Sequence, residues 1–167
     1  MMKDTIKLQE EIKEQATKLV ARLNEKGKKI TFAESCTGGL LSASLTDVSG
    51  SSAVFDGSIV SYANRVKKDF LKVEERVLED FGAVSARCAL QMALGARRTF
   101  GADIGVSITG IAGPTGGSAE KPVGTVFIGV SHEKSTAIVE NHFEGDREQV
   151  RLQSVLKALE LCNNIEL

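Results

Sequence analysis

Tryptophan is absent, tyrosine occurs once, at Tyr62, and the aromatic share is only 5%. So few flat side chains leave little on which unpaired bases could stack. Positive charge is not in excess either: 21 Lys and Arg stand against 22 Asp and Glu, a formal net charge of -1, so no phosphate backbone is an expected partner. No apolar run approaches the roughly 20 residues that a bilayer span requires, and no membrane partner is expected. Residues 1–15 are charged and lack the apolar stretch and small-residue cleavage site of a secretory leader, which points to the cytoplasm. Cysteine is sparse: Cys36, Cys88 and Cys162 are odd in number and scattered, against a disulfide framework. With only His132 and His142 to add, no zinc-ligand spacing forms, and neither a metal nor an organic cofactor is expected.

What is present suits one compact domain over residues 1–167, with 42% hydrophobic and 26% charged residues. Ile12, Ala16, Leu19, Val20 and Leu23 recur at helical period, and Gly27 is placed to end that helix. Strand character follows over residues 29–33, then helical propensity over 40–45. Residues 54–61 read as a strand and 65–73 as a helix. Ser85 is a plausible cap for a long helix reaching Phe100, and 104–109 is a buried strand. Residues 110–118, rich in Gly with one Pro, form a loop. Residues 124–130 and 136–143 read as an antiparallel hairpin, and a helix over 149–162 closes the chain. The expected fold class is α/β, a three-layer α/β/α domain around a mixed sheet.

Ser35 lies where a strand turns into a helix, followed by Gly38 and Gly39. Such a turn exposes a hydroxyl, and free N–H groups at the helix start could hold an oxyanion. By itself, a serine ahead of a helix is more often a cap. A nucleophile also needs a base, and both histidines fall in the hairpin, which leaves lysine. Lys67 and Lys68 follow Tyr62, and a lysine serves as base when desolvation lowers its pKa. Solvated surface charge is the plainer reading of both. Tyr62 and Lys67 are five residues apart, not the four of a short-chain dehydrogenase, and no Gly-x-Gly-x-x-Gly loop accompanies them.

The 110–118 loop offers consecutive N–H groups to an anion, with Thr109, Thr115 and Ser118 as hydroxyl donors. Arg147 is a further anion contact, unless Asp146 or Glu148 occupies it. Cys36 is a rival nucleophile of lower rank, since a buried thiol is usually inert.

The motifs Ala33-Glu34-Ser35-Cys36-Thr37-Gly38-Gly39, Tyr62-Ala63-Asn64, Gly82-Ala83-Val84-Ser85, Thr109-Gly110-Ile111-Ala112-Gly113-Pro114, Lys121-Pro122-Val123-Gly124-Thr125 and Gly145-Asp146-Arg147 together resemble the CinA C-terminal domain family. The resemblance spans nearly the whole chain. It implies an amidohydrolase with Ser35 as nucleophile, selects Lys67 over Lys68 as base and adds Tyr62 as its assistant. The implied reaction turns nicotinamide mononucleotide into nicotinic acid mononucleotide and ammonia, without a cofactor, in a homo-oligomer. Backbone N–H groups near Thr37, Gly38 and Gly39 would hold the oxyanion. For their density of donors, and not from the resemblance, Thr109, Gly110, Gly113, Gly116, Gly117 and Arg147 are expected to contact the phosphate and ribose. The other expectation is a noncatalytic domain that binds a pyridine nucleotide or acts in competence and damage responses.

Overall fold

The computed structural model describes residues 4–167; residues 1–3, part of the stretch read as lacking a leader, lie outside the described residues. Helix α1 (Thr5–Lys26) is capped by the Asp4 carboxylate and ends at Gly27, whose φ of 63° is the left-handed conformation that stops a helix. Its buried face, Leu8 through Leu23 at helical period, continues a turn earlier than the apolar pattern from Ile12 suggests. Strand β1 (Ile30–Glu34) is buried throughout, and helix α2 (Leu40–Thr46) follows its turn. A short 3-10 turn (Ser51–Ala53) then leads into strand β2 (Phe55–Val60) and helix α3 (Asn64–Leu71).

Helix α4 (Glu75–Phe81) is not anticipated by the sequence pattern, because it is only seven residues long and fully buries a single residue, Val77. Helix α5 (Ala86–Phe100) starts as expected at Ser85, whose hydroxyl accepts from the Cys88 N–H. Strands β3 (Ile104–Gly110), β4 (Thr125–Ser131) and β5 (Thr136–His142) come next. Helix α6 (Arg147–Asn164) begins two residues before the expected start, because Asp146 and Gln149 form a reciprocal capping box at its first turn.

The five strands form one mixed sheet in the order β2-β1-β3-β4-β5. β1 runs parallel to β2 and β3, while β3–β4 and β4–β5 are antiparallel, as the hairpin pattern anticipates. One face is covered by α1, α2 and α6 through a core that includes Leu19, Phe32, Leu41, Ile108, Val155 and Leu159. The other carries α5, with α3 and α4 packed on it, through Ala33, Leu71, Val77, Cys88 and Met92. The three-layer α/β/α arrangement is therefore that expected. Among the described residues, no helix is long and apolar enough to cross a membrane.

Register decides where function can sit. Glu34 pairs with Val60 on one side and Ile108 on the other, so β1 and β2 end at one level while β3 runs two residues further, to Gly110. Connections from parallel strands diverge there, and clefts form at such points. One glycine fixes how close α3 comes: a Cβ on Gly95 of α5 would lie 1.9 Å from the Leu71 carbonyl oxygen. Gly95→Ala is therefore expected to destabilise the fold by about 1–3 kcal/mol through overpacking. Urea unfolding followed by circular dichroism measures this, and an unchanged midpoint would contradict the packing described.

Candidate active site

Ser35 continues the β1–β3 pairing by one residue, its N–H donating to the Ile108 carbonyl at 2.9 Å. Its own carbonyl accepts from Gly38 N–H at 3.0 Å, which closes a tight turn. Gly38 and Gly39 follow at φ of 60° and 105°, where a side chain would strain the backbone. The turn thus lifts Ser35 from the sheet edge and redirects the chain into α2.

The start of α2 is not open to a substrate. The buried Glu34 carboxylate accepts from the N–H of Leu41 at 2.8 Å, and from the N–H and hydroxyl of Ser42 at 3.0 and 2.7 Å. A negative charge at a helix N-terminus is favourable, so this carboxylate takes the role the sequence reading assigned to an oxyanion. Thr37 is fully buried and Gly38 N–H is engaged within the turn, so Thr37, Gly38 and Gly39 do not wall the cavity. The contacts expected at these three residues therefore lie outside this cavity wall.

Lys67, in the first turn of α3, is only 1% exposed. Its Nζ donates to the carbonyls of Ser61 at 2.6 Å and Tyr62 at 3.2 Å, and lies 2.9 Å from Ser35 Oγ. Burial draws its pKa below the ordinary lysine value of 10.5, while negative charge on Cys88 or Cys36 would oppose the shift. Burial also pushes both thiols up to about 11, so at neutral pH they carry no charge with which to oppose it. Lys68 is exposed and paired with Glu75 at 3.1 Å, away from Ser35.

Tyr62 differs from expectation. Its ring is exposed and its hydroxyl accepts from Arg147 Nη2 at 3.1 Å, so its contact with Lys67 is made by the main-chain carbonyl instead. Arg147 also donates from Nη1 to the Gly113 carbonyl at 2.7 Å, rather than pairing with Asp146 or Glu148.

These groups wall an open cavity of about 270 Å3. β1 contributes Ser35 and Cys36 at its end, the β2–α3 junction Tyr62, Asn64 and Lys67, and the segment before α5 Ala83 and Val84. β3 and its loop supply Thr109, Gly110, Gly113, Thr115 and Gly116, and α6 supplies Arg147. Thr109 lines the cavity, yet its hydroxyl is bonded to the Ala83 carbonyl at 2.8 Å; Gly117 and Ser118 are not in the wall. Sequence reasoning missed Asn64, Ala83 and Val84 as wall residues, although each lies inside a quoted motif. His132 and His142 are in or beside the hairpin and do not reach the cavity. No cluster of metal-ligating side chains occurs among the described residues.

The sequence profile of the CinA C-terminal domain matches residues 12–165. The chain belongs to the CinA C-terminal domain family. It is 48% identical, over 88% of its length and 90% of the relative's, to a protein of Enterobacter agglomerans named nicotinamide-nucleotide amidohydrolase PncC. A CinA-like protein of Geotalea daltonii is 51% identical over 84% of this chain, which spans only 34% of that relative. Among solved CinA-family structures, the competence/damage inducible protein of Agrobacterium tumefaciens superposes with a TM-score of 0.89 at 43% identity, covering 90% of this chain and 93% of its own. A CinA superfamily protein of Escherichia coli does so at 0.89 and 33%, covering 92% and 90%.

A buried lysine with a lowered pKa leaves a signature on stability. Between its folded pKa and 10.5 the unfolded chain binds more protons at this site, so this contribution to stability rises with pH across that window. Lys67→Met should flatten that rise. Denaturant midpoints of both proteins, measured from neutral pH to 10, provide the comparison, and parallel curves would refute a depressed lysine.

Proposed function

We propose that this chain is an amidohydrolase that converts nicotinamide mononucleotide to nicotinic acid mononucleotide and ammonia through an acyl-enzyme on Ser35. The observation that carries the mechanism is the surroundings of Lys67 Nζ, with two carbonyls and one hydroxyl within hydrogen-bond reach. A neutral amine has two N–H bonds and one lone pair. The Ser61 and Tyr62 carbonyls can take both N–H bonds, which leaves the lone pair for the Ser35 hydroxyl proton. The similarity to the relative named nicotinamide-nucleotide amidohydrolase supports the choice of substrate.

In the first step Lys67 takes the Ser35 proton as Oγ bonds to the carboxamide carbon. The carbonyl oxygen becomes an oxyanion. The N–H of Cys36, the residue after the nucleophile and part of the cavity wall, is our choice of donor to it, in place of Gly38 and Gly39. The C–N bond then breaks as Lys67 returns the proton to nitrogen, and ammonia leaves. In the second step water gives a proton to Lys67 and attacks the ester; Ser35 Oγ leaves with that proton, releasing the acid. Tyr62 orients Lys67 through its carbonyl and Arg147 through its hydroxyl. Arg147, with the Gly113–Gly116 part of the loop, is assigned to the substrate phosphate.

Cys36 is the weaker nucleophile, because a thiol pushed up to about 11 is almost wholly protonated at neutral pH. The relatives named only CinA-like or competence-damage inducible favour a second reading, in which the same cavity binds a pyridine nucleotide without cleaving it. Ammonia release from nicotinamide mononucleotide separates the two.

Ser35→Ala and Lys67→Ala should each lower kcat/KM by about 100-fold or more, whereas Cys36→Ala should retain turnover. Because Lys67 acts as a neutral amine, activity should rise with pH through its lowered pKa. Coupled ammonia assays across pH test both points, and full activity in Lys67→Ala would remove lysine from the mechanism. Arg147→Ala should raise KM by about ten-fold, the scale of one charge-assisted contact. An unchanged KM would take Arg147 out of the phosphate site.

A further inference from the structure

Arg151 lies one helical turn beyond Arg147 on α6, outside the cavity wall. Its Nε donates to the Cys36 carbonyl at 3.1 Å and its Nη2 to the Thr37 carbonyl at 2.9 Å. These two carbonyls belong to the middle of the turn that Gly38 N–H closes onto Ser35. Both central carbonyls of that turn are therefore held by one planar cation, and the Thr37 carbonyl also accepts from Leu40 N–H at 3.0 Å. A lysine could not reproduce this, since the guanidinium fork holds two acceptors in fixed relation. A Cβ on Gly38 would lie 3.7 Å from Nη2, so the arginine is packed directly over the turn. The same charge favours an anion at the neighbouring Cys36 thiol, an indication that its field reaches the position beside Ser35.

We propose that Arg151 is a positioning residue for the reacting serine: by holding the Cys36 and Thr37 carbonyls, it fixes the turn that presents Ser35 Oγ and the Cys36 N–H to the substrate carbonyl. This rests on the reading of Ser35 as nucleophile. Its effect falls on the transition state, in which Oγ must approach the carbon while the oxyanion meets the amide. Ground-state binding of the nucleotide, assigned to Arg147 and the β3 loop, is left alone. On the other side of the turn Glu34 holds the start of α2, so the serine lies between an anionic and a cationic anchor.

The test uses the whole chain with Arg151→Lys and Arg151→Gln, both checked for folding by thermal unfolding. Two readouts are followed: ammonia release from nicotinamide mononucleotide, and the rate at which a fluorophosphonate probe labels Ser35. The expected result is a loss of about ten-fold or more in both kcat and labelling rate, with KM little changed. The pH midpoint of activity should stay where it is, because Lys67 is intact. Wild-type labelling rates in both folded variants would overturn the proposal, as would a loss confined to KM. If the unaltered chain is labelled but releases no ammonia, the substrate assignment fails and the labelling rates still decide the role of Arg151. If it is not labelled above the Ser35→Ala background, there is no reactive serine to position and the proposal falls with it.

Discussion

Removing an ammonium from water favours loss of its proton, and at Lys67 the packing does this while supplying main-chain carbonyls for only two N–H bonds. The remaining direction faces Ser35. Maintaining that arrangement constrains much of the fold. α3 must lie close enough to bury the lysine, and the missing side chain at Gly95 lets its C-terminal end settle against α5. The β2 exit must pass beside the β1 exit, so that the Ser61 and Tyr62 carbonyls meet the amine. Parallel pairing of β1 with β2 in the observed register achieves this.

Charges elsewhere in the site are matched to backbone dipoles more than to one another. Glu34 meets the N–H groups at the start of α2, and Arg151 meets carbonyls in the turn before it. Both are charge-assisted hydrogen bonds, which are shorter and stronger than neutral ones. The turn at Ser35 is thereby held without placing a carboxylate against Lys67, where it would favour the protonated amine. Helix α6 serves twice, since Arg147 faces the cavity and Arg151 supports its wall one turn later.

Much of the architecture was legible in the sequence because local chemistry and tertiary packing agree. Gly27 and Ser85 end and begin helices for the reasons their residue types suggest. The buried strands read as apolar runs, and the strand–turn–helix around Ser35 was marked by its paired glycines. Where a residue's role depends on chain separated by many positions, the signal failed. Nothing in the run of charges from Asp146 to Arg151 distinguishes an arginine bound to Tyr62 from one bound to Cys36. The only sequence mark of Glu34 is that an acidic residue ends an otherwise buried strand, an anomaly that should have raised the question of its partner. A sequence displays Tyr62 as a side chain, whereas its contact with Lys67 is made by the main-chain carbonyl. Helix α4 was missed because it is short and only one of its three apolar residues, Val77, is fully buried.

The bond between Tyr62 and Arg147 has an optical consequence. With no indole in the chain and a single phenol, emission excited at wavelengths too long for its seven phenylalanines to absorb originates at one ring on the rim of the cavity. A ligand anion that draws Arg147 away would change the environment of that ring alone. The molecule therefore carries an intrinsic reporter of occupancy, free of background from the core, with no dye attached.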